Sequence, residues 1–222
     1  MHLMSGPVGR LARRTVGPIA GHRMDVLAMQ SLAPLSADYV PWSPMAMRPS
    51  GIAGVLAEVY IHDVRHVVEL GGGVSTFYLA RLLHRRGGRM WTVEHDPRWA
   101  NLLRAALDRE GLAGTATVVH APLAHDGWYD RRAIDLLLRE PIGLLLVDGP
   151  PAYEHPGARY PALPHFAEAL APDAIVILDD IARRGEERTV RQWERETPYR
   201  FERRLVRGGI AVGRRPAAGV SS

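Results

Sequence analysis

Residues 67–76 read VVELGGGVST, and this stretch decides how the rest of the 222-residue chain is read. It passes from apolar residues to one acid, then to three glycines. Two hydroxyl residues, Ser75 and Thr76, then open an amphipathic segment carrying Phe77, Leu79, Ala80, Leu82 and Leu83. That succession predicts a buried strand, a tight turn and a helix start. Glycine permits backbone dihedrals closed to other residues and lets a ligand approach the main chain, while the helix that follows presents unpaired N–H groups. The turn is therefore expected to cradle a nucleotide-like ligand. At this point a phosphate, a dinucleotide or another nucleoside would all satisfy it.

Working outward, His66–Leu70 is the strand, residues 75–86 the helix, Gly87 and Gly88 its stop, and Arg89–Glu94 the next strand. Upstream, Ser50 is placed to cap a helix with Ile52, Val55, Leu56 and Val59 on one face, ending near His62. Downstream, Asp96 followed by Pro97 predicts a helix over residues 97–110. A strand Ala116–His120, a loop through Trp128, a helix ending before Pro141 and the continuously apolar strand Ile142–Val147 follow. The second half supplies a loop over 149–157, a helix over 160–170, a strand over 174–178 and a charged helix over 186–196. Segments 199–206 and 209–212, joined by Arg207 and Gly208, read as a hairpin. This alternation predicts an α/β fold, a doubly wound Rossmann-like sheet in three α/β/α layers, with ligands at the carboxyl ends of the strands. The expected division is a basic, flexible tail over 1–24, an N-terminal helical cap over 25–65 and the main domain over 66–215. Residues 25–49 are broken by prolines and are not expected to form a long helix.

Composition narrows the function. Apolar residues make up 46% and charged residues 23%, which is ordinary for a globular protein, and no window approaches a membrane span. The basic start (Arg10, Arg13, Arg14) lacks the apolar core of a secretory signal, so a cytoplasmic protein is expected. With no cysteine, disulfides, thiolate metal sites and cysteine nucleophiles are excluded. All 28 basic residues are arginine, so no lysine can act as base or Schiff-base amine. The net charge is +4, but the arginines are spread along the chain, which argues against a nucleic-acid partner.

The carboxyl ends of the expected strands carry Glu69 with the glycines, Glu94-His95-Asp96, His120-Ala121-Pro122, Asp148-Gly149 and Asp179-Asp180. Four of these five ends bear carboxylates. An acid directly before the glycine turn would oppose a pyrophosphate and suits a ligand that is cationic there, as the sulfonium and amino group of S-adenosylmethionine are. Glu94, one strand over, is placed to accept both ribose hydroxyls. His120 would lie beside the base, either as a contact or as a packing residue.

The ordered set VVELGGGVST, TVEHDPRW, VVHAPL, WYD, LLLVDGPP, RYPAL and VILDDIAR resembles the class I S-adenosylmethionine-dependent methyltransferases, and within them a small branch related to metal-dependent, catechol-type O-methyltransferases. The resemblance covers about residues 40–213. It implies a seven-stranded sheet with an antiparallel last strand, in agreement with the hairpin, and a cofactor site of Glu69, Gly71, Gly73, Ser75, Thr76, Glu94, His95, His120, Ala121 and Asp148. It further implies a Mg²⁺-like ion on Asp148, Asp179 and Asp180, which end strands expected to lie about 4.8 Å apart and supply hard oxygen ligands. Asp148 contacting the cofactor directly while the other two cap a helix is the alternative. Related enzymes often use a lysine base after the fourth strand; this chain has none, and His155 is the substitute by position, with Asp148 the second catalytic candidate. Trp42, Tyr153, Arg159 and Arg183 are candidates for substrate contact, with structural ion pairs to the strand-end acids the equal alternative for Arg159 and Arg183. The implied activity is O-methylation of a hydroxyl on a small molecule, such as a phenol, catechol, sugar or other natural-product intermediate of secondary metabolism. N-methyl transfer, or methylation of RNA or protein, is the alternative within the fold. An NAD-dependent oxidoreductase is disfavoured because Thr76 stands where G-x-G-x-x-G requires glycine. A homodimer is one assembly the reading leaves open.

Overall fold

A computed structural model describes residues 18–36, 42–152, 155–204 and 208–216. Seven strands, β1 (His66–Leu70), β2 (Arg89–Glu94), β3 (Ala116–His120), β4 (Ile142–Val147), β5 (Leu170–Asp179), β6 (Arg200–Arg204) and β7 (Ile210–Arg214), form one sheet in the order β3-β2-β1-β4-β5-β7-β6. The first five are parallel, and β7 runs antiparallel between β5 and β6. The topology reverses between β1 and β4, where crossovers leave in opposite directions. An open α/β sheet binds its ligands in the crevice at such a point.

The sheet separates two cores, and β4 shows why it reads as an unbroken apolar run. Leu144 and Leu146 face the helices α2 (Pro49–Ile61), α3 (Val74–Arg86) and α4 (Pro97–Arg109), while Leu145 and Val147 face Trp128, Phe166 and Trp193 on the other side. With helices on both faces, a central strand has no polar side. The second face carries the short α5 (Arg131–Ile134), α6 (Ala162–Phe166) and α7 (Arg184–Glu196). Among the described residues no helix is long and apolar enough to cross a membrane.

Three local expectations are corrected. A 15-residue helix, α1 (Pro18–Leu32), crosses the expected boundary at 24/25, because no proline interrupts the chain between Pro18 and Pro34. Its buried Asp25 accepts hydrogen bonds from Ser50 Oγ at 2.7 Å and Arg48 Nη2 at 3.0 Å, tying α1 to the start of α2. Ser50 accordingly lies inside α2 rather than capping it, and Arg48 holds the cap position. The helix expected over 160–170 contracts to Ala162–Phe166: Pro164, interior to the expected span, has no N–H to give Tyr160 O, and β5 begins at Leu170 with a register shift against β4.

Candidate cofactor and acceptor site

The glycine turn is folded tightly against the end of β4. Gly71 has φ +90°, and the N–H groups of Asp148 and Gly149 both donate to Leu70 O, at 2.9 and 2.6 Å. A Cβ at Gly71 would lie 2.7 Å from Gly149 N, so only glycine fits. The turn runs directly into α3, with Gly73 N–H donating to Thr76 Oγ1 at 3.0 Å.

Glu69 stands behind this turn, fully buried. It accepts hydrogen bonds from Ser75 Oγ (2.5 Å), Thr76 Oγ1 (2.6 Å) and Thr92 Oγ1 (2.9 Å), which pins the first turn of α3 to β1 and β2. Burial raises its pKa to about 7, outweighing the three hydroxyl donors that pull it down. A raised acid favours the folded state while protonated. Its contribution is complete below about pH 4.5 and is lost as pH rises through about 7. Replacing Glu69 with Gln is therefore expected to flatten the fall in stability between pH 4.5 and 7, which urea melts across that range would read. An unchanged slope would show that Glu69 does not titrate there.

Glu94 holds the opposite side of the turn. Its Oε2 accepts from Gly72 N–H at 3.2 Å and its Oε1 from Asp96 N–H at 2.8 Å, while His95 Nδ1 lies 2.8 Å from Oε1. The hydrogen bond to Glu94 raises the pKa of His95. Asp96 caps α4 through Arg98 N–H and Trp99 N–H, and the Trp99 indole Nε1 donates to Gly72 O at 2.8 Å.

Across the sheet, oxygens of Asp148, Asp179 and Asp180 come within 4.8 Å of one another. Asp180 adopts φ +63°, a left-handed conformation that Asp tolerates better than most side chains. Buried Arg159 reaches into this group from the other side. Its guanidinium lies 3.5 Å from both Asp148 Oδ1 and Asp180 Oδ2, 3.3 Å from Asp179 O, and its Nε donates to Pro150 O at 3.2 Å. Arg183 pairs with Asp180 at 2.8 Å from a half-exposed position. Burial raises Asp148 well above the carboxylate range, and burial followed by Asp180 raises Asp179 to about 7. Both acids remain raised with Arg159 and Arg183 in place. The clustered oxygens of the three carboxylates suit a hard divalent cation.

A cleft of about 490 Å³ joins the two halves. Of the residues singled out in the sequence, Gly71, Gly73, Glu94, His95, Asp148, Asp180, Arg159 and Arg183 line it. Glu69, Ser75 and Thr76 are buried behind the turn, and Asp179 is buried at the end of β5 with its carboxylate in the acidic group. His120, half-buried, bonds His95 O at 3.1 Å and Ala121 packs in the core; neither lines the cleft. His155 is exposed, its ring against Gly127, and Trp42 packs on Tyr78 with centroids 6.3 Å apart; neither lines the cleft. Tyr153 lies outside the described residues. The cleft also takes in Gly72, Met45, Met47, Trp99 and Tyr129, to which the sequence reading gave no role. Gly72 belongs to the glycine turn, Trp99 to TVEHDPRW and Tyr129 to WYD, whereas Met45 and Met47 lie in no such stretch.

The model of a family described as a methyltransferase domain matches residues 68–181. No curated protein sequence matches the chain. Similar solved structures include the SAH-bound methyltransferase PaMTH1 of Podospora anserina, at 11% identity and a TM-score of 0.65, covering 96% of this chain and 100% of that one. An O-methyltransferase from Bacillus cereus in complex with SAH gives 21% identity and a TM-score of 0.61, covering 87% and 91%. The O-methyltransferase TomG of Streptomyces achromogenes, involved in tomaymycin synthesis and in complex with SAM, gives 17% and 0.59, covering 87% and 90%. At these identities the likeness is one of fold. The family match spans just over half of the chain. The chain therefore belongs to the methyltransferase-domain family, and its seven-stranded sheet is the class I fold of S-adenosylmethionine-dependent methyltransferases.

Proposed function

We propose that this enzyme transfers the methyl group of S-adenosylmethionine to a hydroxyl oxygen of a small molecule, with a divalent cation held by Asp148, Asp179 and Asp180. The observation that carries the reading is the single cleft into which the glycine turn, Glu94 and the acidic group all open. The cofactor would lie over Gly71, Gly72 and Gly73, its ribose hydroxyls on Glu94 and its cationic end toward Asp148. That ordering follows space and charge: the glycines leave room for the nucleoside over the turn, and the sulfonium meets carboxylates.

The transfer forms one O–C bond as the S–C bond breaks in line, leaves a neutral thioether, and releases the hydroxyl proton to water or to the carboxylates at the cleft floor. The chain's own contribution is alignment. Glu94 and the turn fix the donor. Met45 and Met47 give the cleft an apolar wall beside the acids. Arg159 holds Asp148 and Asp180 at a set spacing. A bound divalent cation would supply Lewis acidity that lowers the pKa of a coordinated oxygen.

Formation of S-adenosylhomocysteine with a panel of phenols and catechols tests this. Excess chelator is expected to cut turnover by about 100-fold or more, Mg²⁺ to restore it, and Asp148→Ala to match the chelated rate. Undiminished turnover in chelator would remove the cation from the reading. Transfer to amines alone would replace oxygen by nitrogen as acceptor.

A further inference from the structure

Tyr129 is 1% exposed, yet its hydroxyl has no hydrogen-bond partner among the described residues. Buried hydroxyls are almost always paired, because leaving one unpaired forfeits its hydration without replacement. The Tyr129 backbone bridges to Leu123, and Trp128 packs edge-on against the ring with centroids 5.2 Å apart. Tyr129 lies in the cleft wall with Gly71, Glu94, Asp148 and Gly149, its hydroxyl buried just beneath that surface. Gly149 belongs to this arrangement, since a Cβ there would collide with the Tyr129 oxygen. Burial, then the negative charges of Glu94, Asp148 and Glu69, keep the phenol protonated despite Arg159, so it has a hydrogen to give.

We propose that Tyr129 is a cofactor-positioning residue whose O–H donates a hydrogen bond to the portion of the bound cofactor lying between Glu94 and Asp148, a portion shared by S-adenosylmethionine and S-adenosylhomocysteine. The inference rests on the S-adenosylmethionine reading above and adds a contact to it. It explains a feature that is costly in the free protein, because the hydroxyl's partner arrives with the ligand.

This assignment predicts two effects of opposite sign. Tyr129→Phe keeps the ring and removes only the oxygen. A hydroxyl that served the protein's own packing would lower the melting temperature when removed. One that waits for a ligand would leave it at least as high as in the wild type, rising by about 2 to 4 °C if its full burial cost is relieved. The same variant is expected to bind S-adenosylmethionine and S-adenosylhomocysteine about tenfold more weakly by titration calorimetry, to a similar extent for both. Equal affinity of wild type and Tyr129→Phe would overturn the inference and leave the cofactor reading intact. A fall in the ligand-free melting temperature would overturn it too, by revealing a partner within the protein. If wild type binds neither compound, the cofactor reading itself fails and the inference falls with it.

Discussion

Gly71→Ala is expected to lower affinity for S-adenosylmethionine by at least about 100-fold and to destabilise the protein by several kcal/mol. Two costs combine. The residue has φ +90°, where an L side chain is strained, and its Cβ would lie 2.7 Å from Gly149 N, 2.9 Å from Gly149 Cα and 3.0 Å from Asp148 C. These are backbone atoms at the end of β4, so no rotamer change relieves the overlap. The turn must instead move away from β4, which breaks the bonds from Asp148 and Gly149 to Leu70 O and separates the two halves of the cleft. Gly73→Ala is the control. Its φ is −168° and a Cβ there meets nothing within 4 Å, so its melting temperature is expected to stay close to that of the wild type. Thermal melts and cofactor titration of the two variants side by side check the pair. A stable, cofactor-binding Gly71→Ala would contradict the packing described.

Glu94→Ala carries the second large effect, a loss of about 100-fold in cofactor affinity. The carboxylate, buried at 4% exposure, joins three groups: Gly72 N–H, Asp96 N–H and His95. Its removal orphans two backbone donors in the turn and at the start of α4, and it deletes the proposed acceptor for the ribose hydroxyls. Glu94→Gln retains one oxygen and is expected to fall between, at about tenfold. Asp96→Ala, at the exposed cap two residues later and on the rim of the same cleft, is expected to lower stability slightly through the lost cap and to weaken binding far less than Glu94→Ala. If Asp96→Ala and Glu94→Ala weakened binding equally, the loss would belong to the cap of α4 and not to the carboxylate.

The sheet was legible because each central strand announces itself locally. Ile142–Val147 is apolar throughout, as burial on both faces requires, and VVELGGGVST changes period at the turn. The strand-end acids followed from where the expected strands end. What the residues could not disclose depends on contacts between distant segments. Glu69 reads as a ligand to a cationic group, but it is fully buried outside the cleft lining and bonded to Ser75, Thr76 and Thr92, the last brought to it by the pairing of β1 with β2. His155 has the position of a base in the chain, yet its ring turns to Gly127. Arg159 could be read as a substrate contact or as an ion-pair partner, and the structure finds it among the very acids it would neutralise. Tyr129 lies nine residues beyond β3 in an irregular loop, where no periodicity indicates which way a side chain points.

The most direct test of the whole account is a calorimetric titration of the full-length protein with S-adenosylmethionine and, in parallel, with NAD. One site of micromolar-scale affinity for S-adenosylmethionine is expected, lost in Gly71→Ala, with no heat from NAD. Saturable binding of NAD without binding of S-adenosylmethionine would contradict it.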